Sequence, residues 1–373
     1  MLVPPFSWTV AAAAVALVAT AASQVPRQPS WPFRFAVARR VIRFALSIFG
    51  ALLINHGPLA QASRRGSELV GSVMGRVACW KLGLLLEPLH FHGLEHLWLR
   101  SKAANPTATR VVVLYFHGGA YALQSPRMYI KMGGAILAAL QEELEPRGFQ
   151  VDMLLANYRK TPQHRFPAAA EDAAAIYAHV LETCDVPPSR VIVAGDSAGG
   201  GLVLSALLRA KRQGLAMPIA MLLLSPFVDL AKDAADREWT PATTAWCFLP
   251  SDFLHAARRA YLSPEKQFAN ADDLVDMDAS PVHCDLRGLP PAIVQTGTLD
   301  ALYPQAHRLV TKAKSDGVQS WELDEYEDMP HVFMIVPAPL LPQAGVALQR
   351  IARFTAKQLG NADEKTTTRQ KSD

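Results

Sequence analysis

The chain has 373 residues, half of them apolar and only 19% charged, with 27 Pro and 22 Gly. That composition can supply a large core and excludes a wholly disordered or collagen-like chain. The formal net charge of +4 is unevenly placed, because no Asp or Glu precedes Glu68 whereas Arg27, Arg34, Arg39, Arg40, Arg43, Arg64 and Arg65 all do. The rest of the chain is mildly acidic, which argues against a nucleic-acid-binding body.

In chain order, the first feature is the run from Phe6 to Val25, twenty residues without a charge. That length can span a hydrocarbon core of about 30 Å. The arginines follow the run and nothing basic precedes it. By the positive-inside rule we expect an uncleaved membrane anchor, at the endoplasmic reticulum, with the body on the cytoplasmic side. A cleaved secretory signal ending near Ala21 to Ser23 and an organelle transit peptide are the alternatives. Next, Val37, Val41, Ala45, Ile48 and Leu52 recur at helical spacing, interspersed with Arg39, Arg40 and Arg43. This stretch reads either as an amphipathic helix on an anionic membrane surface or as a helix packed over the body within a lid. Residues 1–66 are thus expected to be an anchor or targeting segment with a basic amphipathic stretch.

From about residue 110, short β-branched runs alternate with longer Ala-rich stretches. The expected strands are Val111 to Phe116, Val151 to Tyr158, Val191 to Gly195, Met221 to Ser225, Pro291 to Gly297 and Ser320 to Tyr326. The expected helices are Met128 to Glu145, Pro167 to Cys184, Ala198 to Gln213, Pro304 to Ser315 and Pro342 to Gln358. Apolar strands separated by helices predict an α/β fold, a mostly parallel sheet with helices on both faces. The interval Asp229 to Asp285 breaks the alternation and carries Trp239, Trp246 and Phe248. It reads as an insertion forming part of a lid. We therefore expect one catalytic domain over 67–359, with a helical lid from about 67–105 and 229–285, and a polar, disordered tail over 360–373. Cys79, Cys184, Cys247 and Cys284 are scattered without a CxxC, so neither a zinc site nor a dense disulfide scaffold is indicated. Asn105-Pro106-Thr107 is disqualified as a glycosylation site by its proline.

Chemistry enters at Gly195-Asp196-Ser197-Ala198-Gly199, a G-x-S-x-G between a buried-strand run and a helix. A sharp strand-to-helix turn holds such a serine exposed and strained, and flanking glycines allow close backbone approach. His117-Gly118-Gly119-Ala120 directly follows the strand Val111 to Phe116, where backbone N–H groups can converge on a developing oxyanion. A serine hydroxyl needs a neutral base oriented by a carboxylate. In this architecture the chain order is Ser, acid, His. Asp300 follows the strand ending at Gly297, and His331 follows the strand ending at Tyr326, so both fall at strand carboxyl ends. Asp324 and Asp328 compete as acids; Asp324 is discounted because it lies inside a strand run. His283 and His307 compete as bases, one in the insertion and one inside a helix. His90, His92 and His96 lack supporting carboxylates or cysteines in a metal-ligand spacing, and no metal or cofactor is expected.

These motifs, together with Asn157-Tyr158-Arg159, Pro162, Phe166-Pro167-Ala168-Ala169, Asp172, Ser225-Pro226, Ser280-Pro281 and Leu289-Pro290-Pro291, resemble the hormone-sensitive-lipase-like (family IV esterase) branch of the α/β-hydrolases over Val111 to Leu359. The resemblance implies Ser197, Asp300 and His331 as a catalytic triad. It also implies the N–H groups of Gly119, Ala120 and Ala198 as an oxyanion hole, with His117 and Gly118 ordering the loop. The implied activity is hydrolysis of short-to-medium acyl, including acetyl, esters of a hydrophobic alcohol. Three departures stand out. Ala120 replaces a third glycine, Asp300-Ala301-Leu302-Tyr303-Pro304 lacks the family's second carboxylate, and the extension before residue 100 is atypical of compact bacterial members. A membrane-anchored form resembles fungal steryl acetyl hydrolases. The rivals are an amide or formamide hydrolase using the same triad and a noncatalytic ligand receptor on a hydrolase fold.

Overall fold

The computed structural model describes residues 31–103, 105–184, 186–232, 240–275 and 277–370. The expected anchor at Phe6 to Val25 and the lid residue Trp239 lie outside these. Among the described residues no helix is long and apolar enough to cross a membrane.

The chain enters through α1 (Phe33–Ala45), a π turn (Leu46–Gly50), α2 (Ala51–Asn55) and α3 (Gly57–Leu82), then forms β1 (Leu84–Phe91) and β2 (Leu94–Ser101). The alternating region follows as β3 (Thr109–Phe116), α4 (Ile130–Leu144), β4 (Phe149–Ala156), α5 (Ala168–Thr183), β5 (Val191–Asp196), α6 (Ala198–Arg212) and β6 (Ala220–Leu224). After α7 (Pro241–Trp246) and α8 (Ser251–Tyr261) come β7 (Ala292–Gly297), α9 (Tyr303–Ser315), β8 (Trp321–Tyr326) and α10 (Pro342–Gln370).

Eight strands form one sheet in the order β1-β2-β4-β3-β5-β6-β7-β8. It is parallel from β4 to β8 and antiparallel at β1 and β2. β3 sits near the centre, its Val113 level with Met153 on one side and Ile192 on the other. Its residues alternate between the two faces, as the period of two requires. Val112, Leu114 and Phe116 join one apolar cluster, while Val111, Val113 and Tyr115 join the other. Both faces are therefore covered, and the functional loops emerge from the carboxyl edge of β3, β5, β7 and β8.

The six expected strands and five expected helices all form, each within a few residues of its expected bounds except the last helix, which runs past Gln358 to Gln370. Three boundaries need correction. First, the expected lid segment 67–105 is not a lid over its second half, because Leu84–Phe91 and Leu94–Ser101 pair as an antiparallel hairpin at the sheet edge. Pro88 masks the first strand in the sequence, yet proline is tolerated where a strand has a free edge. The two-residue turn His92-Gly93, with φ of 50° and 72°, closes the hairpin. Second, residues from Phe33 onward, assigned to an anchor or targeting segment over 1–66, pack on the body. They cover the sheet's carboxyl edge together with α7 and α8. Third, the polar tail expected from 360 onward continues α10 as helix to Gln370. Arg190, at the start of β5, pairs with Asp363 and ties that extension to the body.

The inward arginines explain how α1 is held. Arg39 is buried and donates to the carbonyls of Ala245 (3.2 Å) and Trp246 (2.8 Å), while Arg43 donates to that of Cys247 (2.6 Å). These carbonyls lie at the C-terminal end of α7, where a helix leaves acceptors open and favours positive charge. Arg39 also packs beside the rings of Trp31 and Trp246, 5.4 and 5.6 Å from their centroids. The basic stretch is thus partly a clasp between the two cap segments. Of the two readings left open by the sequence, packing over the body is the one α1 adopts.

Candidate active site

Ser197 sits at the β5–α6 junction with φ 51° and ψ −120°, a conformation that L residues rarely adopt. The turn is possible because the chain around it is nearly free of side chains. A Cβ on Gly199 would overlap the Phe116 carbonyl, and one on Gly195 would lie 2.5 Å from the Gly199 carbonyl oxygen. The Ser197 N–H donates to Leu224 O (2.9 Å) and its carbonyl accepts from Phe227 N (2.8 Å), fixing the elbow against β6. Ala198 is buried and opens α6, where the first helical N–H groups lack intrahelical acceptors.

His331 and Asp300 come from the loops after β8 and β7. The buried His331 donates from Nδ1 to both oxygens of the fully buried Asp300, at 2.9 and 3.0 Å. A carboxylate accepts, so Nδ1 is the donating nitrogen of the ring in this pair. Asp300 Oδ1 also accepts from Leu302 N at 2.8 Å. This backbone donor falls just after the acid, where the expected second carboxylate is missing. The His331 loop is fastened by Val332 N donating to Ser225 Oγ (3.0 Å) and Leu299 N donating to Met329 O (3.0 Å). Trp31 Nε1 donates to the carbonyl of Asp328 at 2.6 Å, adding a tie from the N-terminal cap.

The loop after β3 places Gly119 and Ala120 on the wall of the same cavity as Ser197 and His331. Gly119 has φ 114°, and a Cβ there would lie 2.5 Å from the Leu123 carbonyl oxygen, so only glycine fits. Ala120 has φ 57°, a left-handed conformation that alanine adopts at a cost of about 1 kcal/mol. Gly118 does not line the cavity; its N–H donates to Asp196 Oδ1 (2.9 Å) and to Tyr129 OH (3.1 Å). His117 is buried, stacked on Tyr158 with centroids 4.6 Å apart, and its carbonyl accepts from Tyr158 OH at 2.8 Å. Burial pushes its imidazole well below the ordinary range, with the nearby Lys160 charge adding to the shift. A neutral, enclosed ring suits a loop support.

Several supporting residues escaped the sequence reading. Asp196, inside the G-x-S-x-G, is 2% exposed and accepts from Tyr115 OH (2.9 Å), Tyr129 OH (2.9 Å) and Gly118 N (2.9 Å). Burial raises its carboxyl to about 6 even though the three donors pull the other way. It joins the Ser197 turn directly to the loop after β3. Arg64 of α3 donates to the Ala122 (2.8 Å) and Thr161 (2.9 Å) carbonyls and to Gln163 Oε1 (2.7 Å), pinning that loop from above. Lys160 is buried, with Nζ donating to Asn157 Oδ1 and to Tyr158 O, and burial lowers its ammonium to about 7. Asp196 was visible as a motif position, but no local pattern marks Arg64 or Lys160, whose partners lie far away in sequence or across a turn.

The competing groups lie elsewhere. His283 pairs with the buried Asp229 (3.1 Å), and His307 pairs with Glu325 (2.6 Å) beside Tyr303. Asp324 accepts from Gln295 and Tyr326. His96 Nδ1 accepts from Asn157 N at 3.1 Å, and His92 stacks on Phe91. Among the described residues no cluster of His, Cys, Asp or Glu could hold a metal ion.

The cavity above Ser197 and His331 measures about 220 Å³, with apolar walls from Ile42, Leu46, Phe248, Leu249 and Phe253. Phe248 also meets the His331 ring edge-on at 5.7 Å. Trp246, expected in the lid, lies in the cap but packs against Trp31, 5.7 Å away, rather than lining the cavity. A neighbouring cavity of about 370 Å³ shares Gln124, Tyr129 and Ile335 with the first and continues between α4 and the segment Met334 to Ala338.

A parallel sheet carrying these loops at its carboxyl edge is the architecture of an α/β hydrolase. A family described as alpha/beta hydrolase fold matches residues 113–335. An acetyl-hydrolase of Streptomyces hygroscopicus is 34% identical over 248 residues, covering 66% of this chain and 76% of the relative. The solved structure of EstE5 soaked with p-nitrophenyl butyrate superposes with a TM-score of 0.67 at 28% identity, covering 87% of this chain and 97% of that one. A hormone-sensitive lipase from a metagenome library gives a TM-score of 0.66 at 27% identity, covering 86% and 98%. The chain belongs to the alpha/beta hydrolase fold family, in its hormone-sensitive-lipase-like, family IV group. It is a carboxylesterase- or lipase-like hydrolase.

Proposed function

We propose that the protein hydrolyses short-to-medium acyl esters, acetyl esters among them, of a hydrophobic alcohol, using Ser197, His331 and Asp300 through an acyl-enzyme. The observation that carries this reading is the His331 Nδ1 contact to Asp300 at 2.9 Å, beside the cavity lined by Ser197 and the Gly119-Ala120 backbone. His331 Nε2 takes the Ser197 proton as Oγ attacks the ester carbonyl, while Asp300 holds the tautomer and favours the imidazolium. The N–H groups of Gly119, Ala120 and Ala198 receive the tetrahedral oxyanion, each worth roughly 3 kcal/mol in the transition state. His331 then gives its proton to the leaving alcohol, and water repeats the sequence to release the acid.

The apolar walls of the 220 Å³ cavity, and the larger cavity beside it, support a substrate with an extended hydrophobic part. The acetyl-hydrolase relative supports a small acyl group. We also place the protein at a membrane, endoplasmic reticulum in our reading, held by the N-terminal segment, and a sterol acetate is the narrower substrate this suggests. The Ser197→Ala variant should lose p-nitrophenyl acetate hydrolysis while keeping its fold by circular dichroism; retained turnover refutes the nucleophile assignment. Comparing acetyl, butyryl and longer esters with a sterol acetate and an aryl formamide then identifies the substrate class. Protease protection on microsomes tests the topology.

A further inference from the structure

The cap helices are amphipathic the wrong way round for a helix in water. A soluble helix turns its large apolar residues inward and its charges outward. α3 meets the body through small residues, with Gly71 against the Arg127–Met128 backbone and Gly75 against Ile130, where a Cβ would lie 2.5 Å from the nearest atom in each case. Its outer face carries Leu69, Val73, Met74, Val77 and Trp80, with Leu69 at 70% and Trp80 at 73% exposure. α1 and its π turn repeat the inversion. Arg39 points inward, whereas Val41, Phe44, Ile48 and Phe49 lie outward. Among the described residues, the large apolar side chains left exposed beyond this cap and its junction with β1 are Phe268, Val275, Ile335 and Val346. An apolar surface of this extent on one part of a molecule marks a binding face.

The occupant follows from what surrounds it. The described chain begins at Trp31, on this cap, and the preceding sequence contains the uncharged run Phe6 to Val25. Arg34, Arg65, Arg76 and Lys81 are exposed on the same helices, with Glu68 the lone acid in that interval, a pattern suited to anionic headgroups beside an apolar phase. Ile42, on α1, is both half-exposed and part of the catalytic cavity wall. We propose that the outward faces of α1 and α3 dock on an anionic lipid bilayer, so that an apolar ester passes from the lipid into the cavity past Ile42. This rests on the ester-hydrolase reading for the identity of the cargo but not for the docking itself.

Trp80 is a native probe. The full chain, carrying Ser197→Ala to prevent turnover, is mixed with phosphatidylcholine–phosphatidylserine vesicles containing brominated lipid, and the Trp80 signal is isolated by subtracting a Trp80→Phe variant. Quenching of that signal is expected. In parallel, Phe44→Asp with Val73→Asp in the otherwise native full chain should lower turnover of a vesicle-embedded ester roughly tenfold, the scale of losing two buried apolar contacts at an interface. Turnover of water-soluble p-nitrophenyl acetate should stay unchanged, which also shows that the variant folds; if it does not, Phe44→Ser with Val73→Ser takes its place. Docking is overturned if Trp80 is not quenched, as when a second copy covers the face, or if the folded double variant keeps its vesicle turnover. Absence of p-nitrophenyl acetate hydrolysis in the native chain would instead refute the ester-hydrolase reading and leave the Trp80 result to judge the docking.

Discussion

Replacing Asp196 by Asn removes a buried carboxylate while keeping its shape, and the consequence depends on pH in a calculable way. The Asp196 carboxyl lies at about 6 in the fold against 3.8 for an ordinary aspartate, chiefly because of burial. Its ionisation therefore weakens the folded state by about 3 kcal/mol at full effect, taking ~1.4 kcal/mol per tenfold change in proton affinity. The sign is that of a raised carboxyl: its contribution is most favourable below pH 3.8 and is lost as pH rises through 6. At pH 5 roughly half of the cost is present and at pH 7.5 nearly all of it. The two pH values thus differ by roughly 1 kcal/mol. The absolute effect of Asp196→Asn is less decisive, because relief from that cost is offset by weaker bonds from Tyr115, Tyr129 and the Gly118 N–H, each worth about 1–3 kcal/mol to a charged acceptor. The change with pH isolates the ionisation. In urea unfolding at pH 5.0 and 7.5, native protein should gain roughly 1 kcal/mol over the variant on going to the lower pH. A difference between the two proteins that is the same at both pH values, or that runs the other way, refutes the picture of a carboxylate destabilised by burial.

Asp300→Asn replaces one of the two oxygens that accept from His331 with an NH2 donor and removes the negative charge, and kcat for p-nitrophenyl acetate should fall roughly 10³- to 10⁴-fold with little change in KM. Ala120 sits at φ 57°, so Ala120→Gly should relieve left-handed strain and raise unfolding stability by about 0.5–1 kcal/mol, read from the urea midpoint. Arg64→Met removes three hydrogen bonds to the oxyanion loop and its neighbours, and should reduce kcat about tenfold while costing ~1–2 kcal/mol in unfolding free energy.

Outside the insertion Asp229 to Asp285, the order of strands and helices from Thr109 to Tyr326 was legible in the amino-acid sequence because each element there is recorded locally. Buried parallel strands read as β-branched runs, and Gly195 to Gly199 encode a turn that only small residues can make. The positions of Asp300 and His331 followed from knowing where those strands end. β1 and β2 were not legible: an edge strand broken by Pro88 carries little periodicity, and pairing with β4 is a long-range fact. The same limit applies to Asp196, whose carboxyl is raised by burial in the closed fold against the pull of Tyr115 and Tyr129, and to Arg64, whose acceptors lie 58 to 99 residues away. What the sequence determined by itself was the α/β order and the sharp small-residue turn that carries Ser197, since those depend on short-range backbone sterics and side-chain periodicity. The tertiary structure decided which way the cap helices face. Within the basic, apolar N-terminus, Arg39, Arg43 and Arg64 turned in toward carbonyls while Phe44, Val73 and Trp80 turned out, because burial is a property of neighbours and not of the residue.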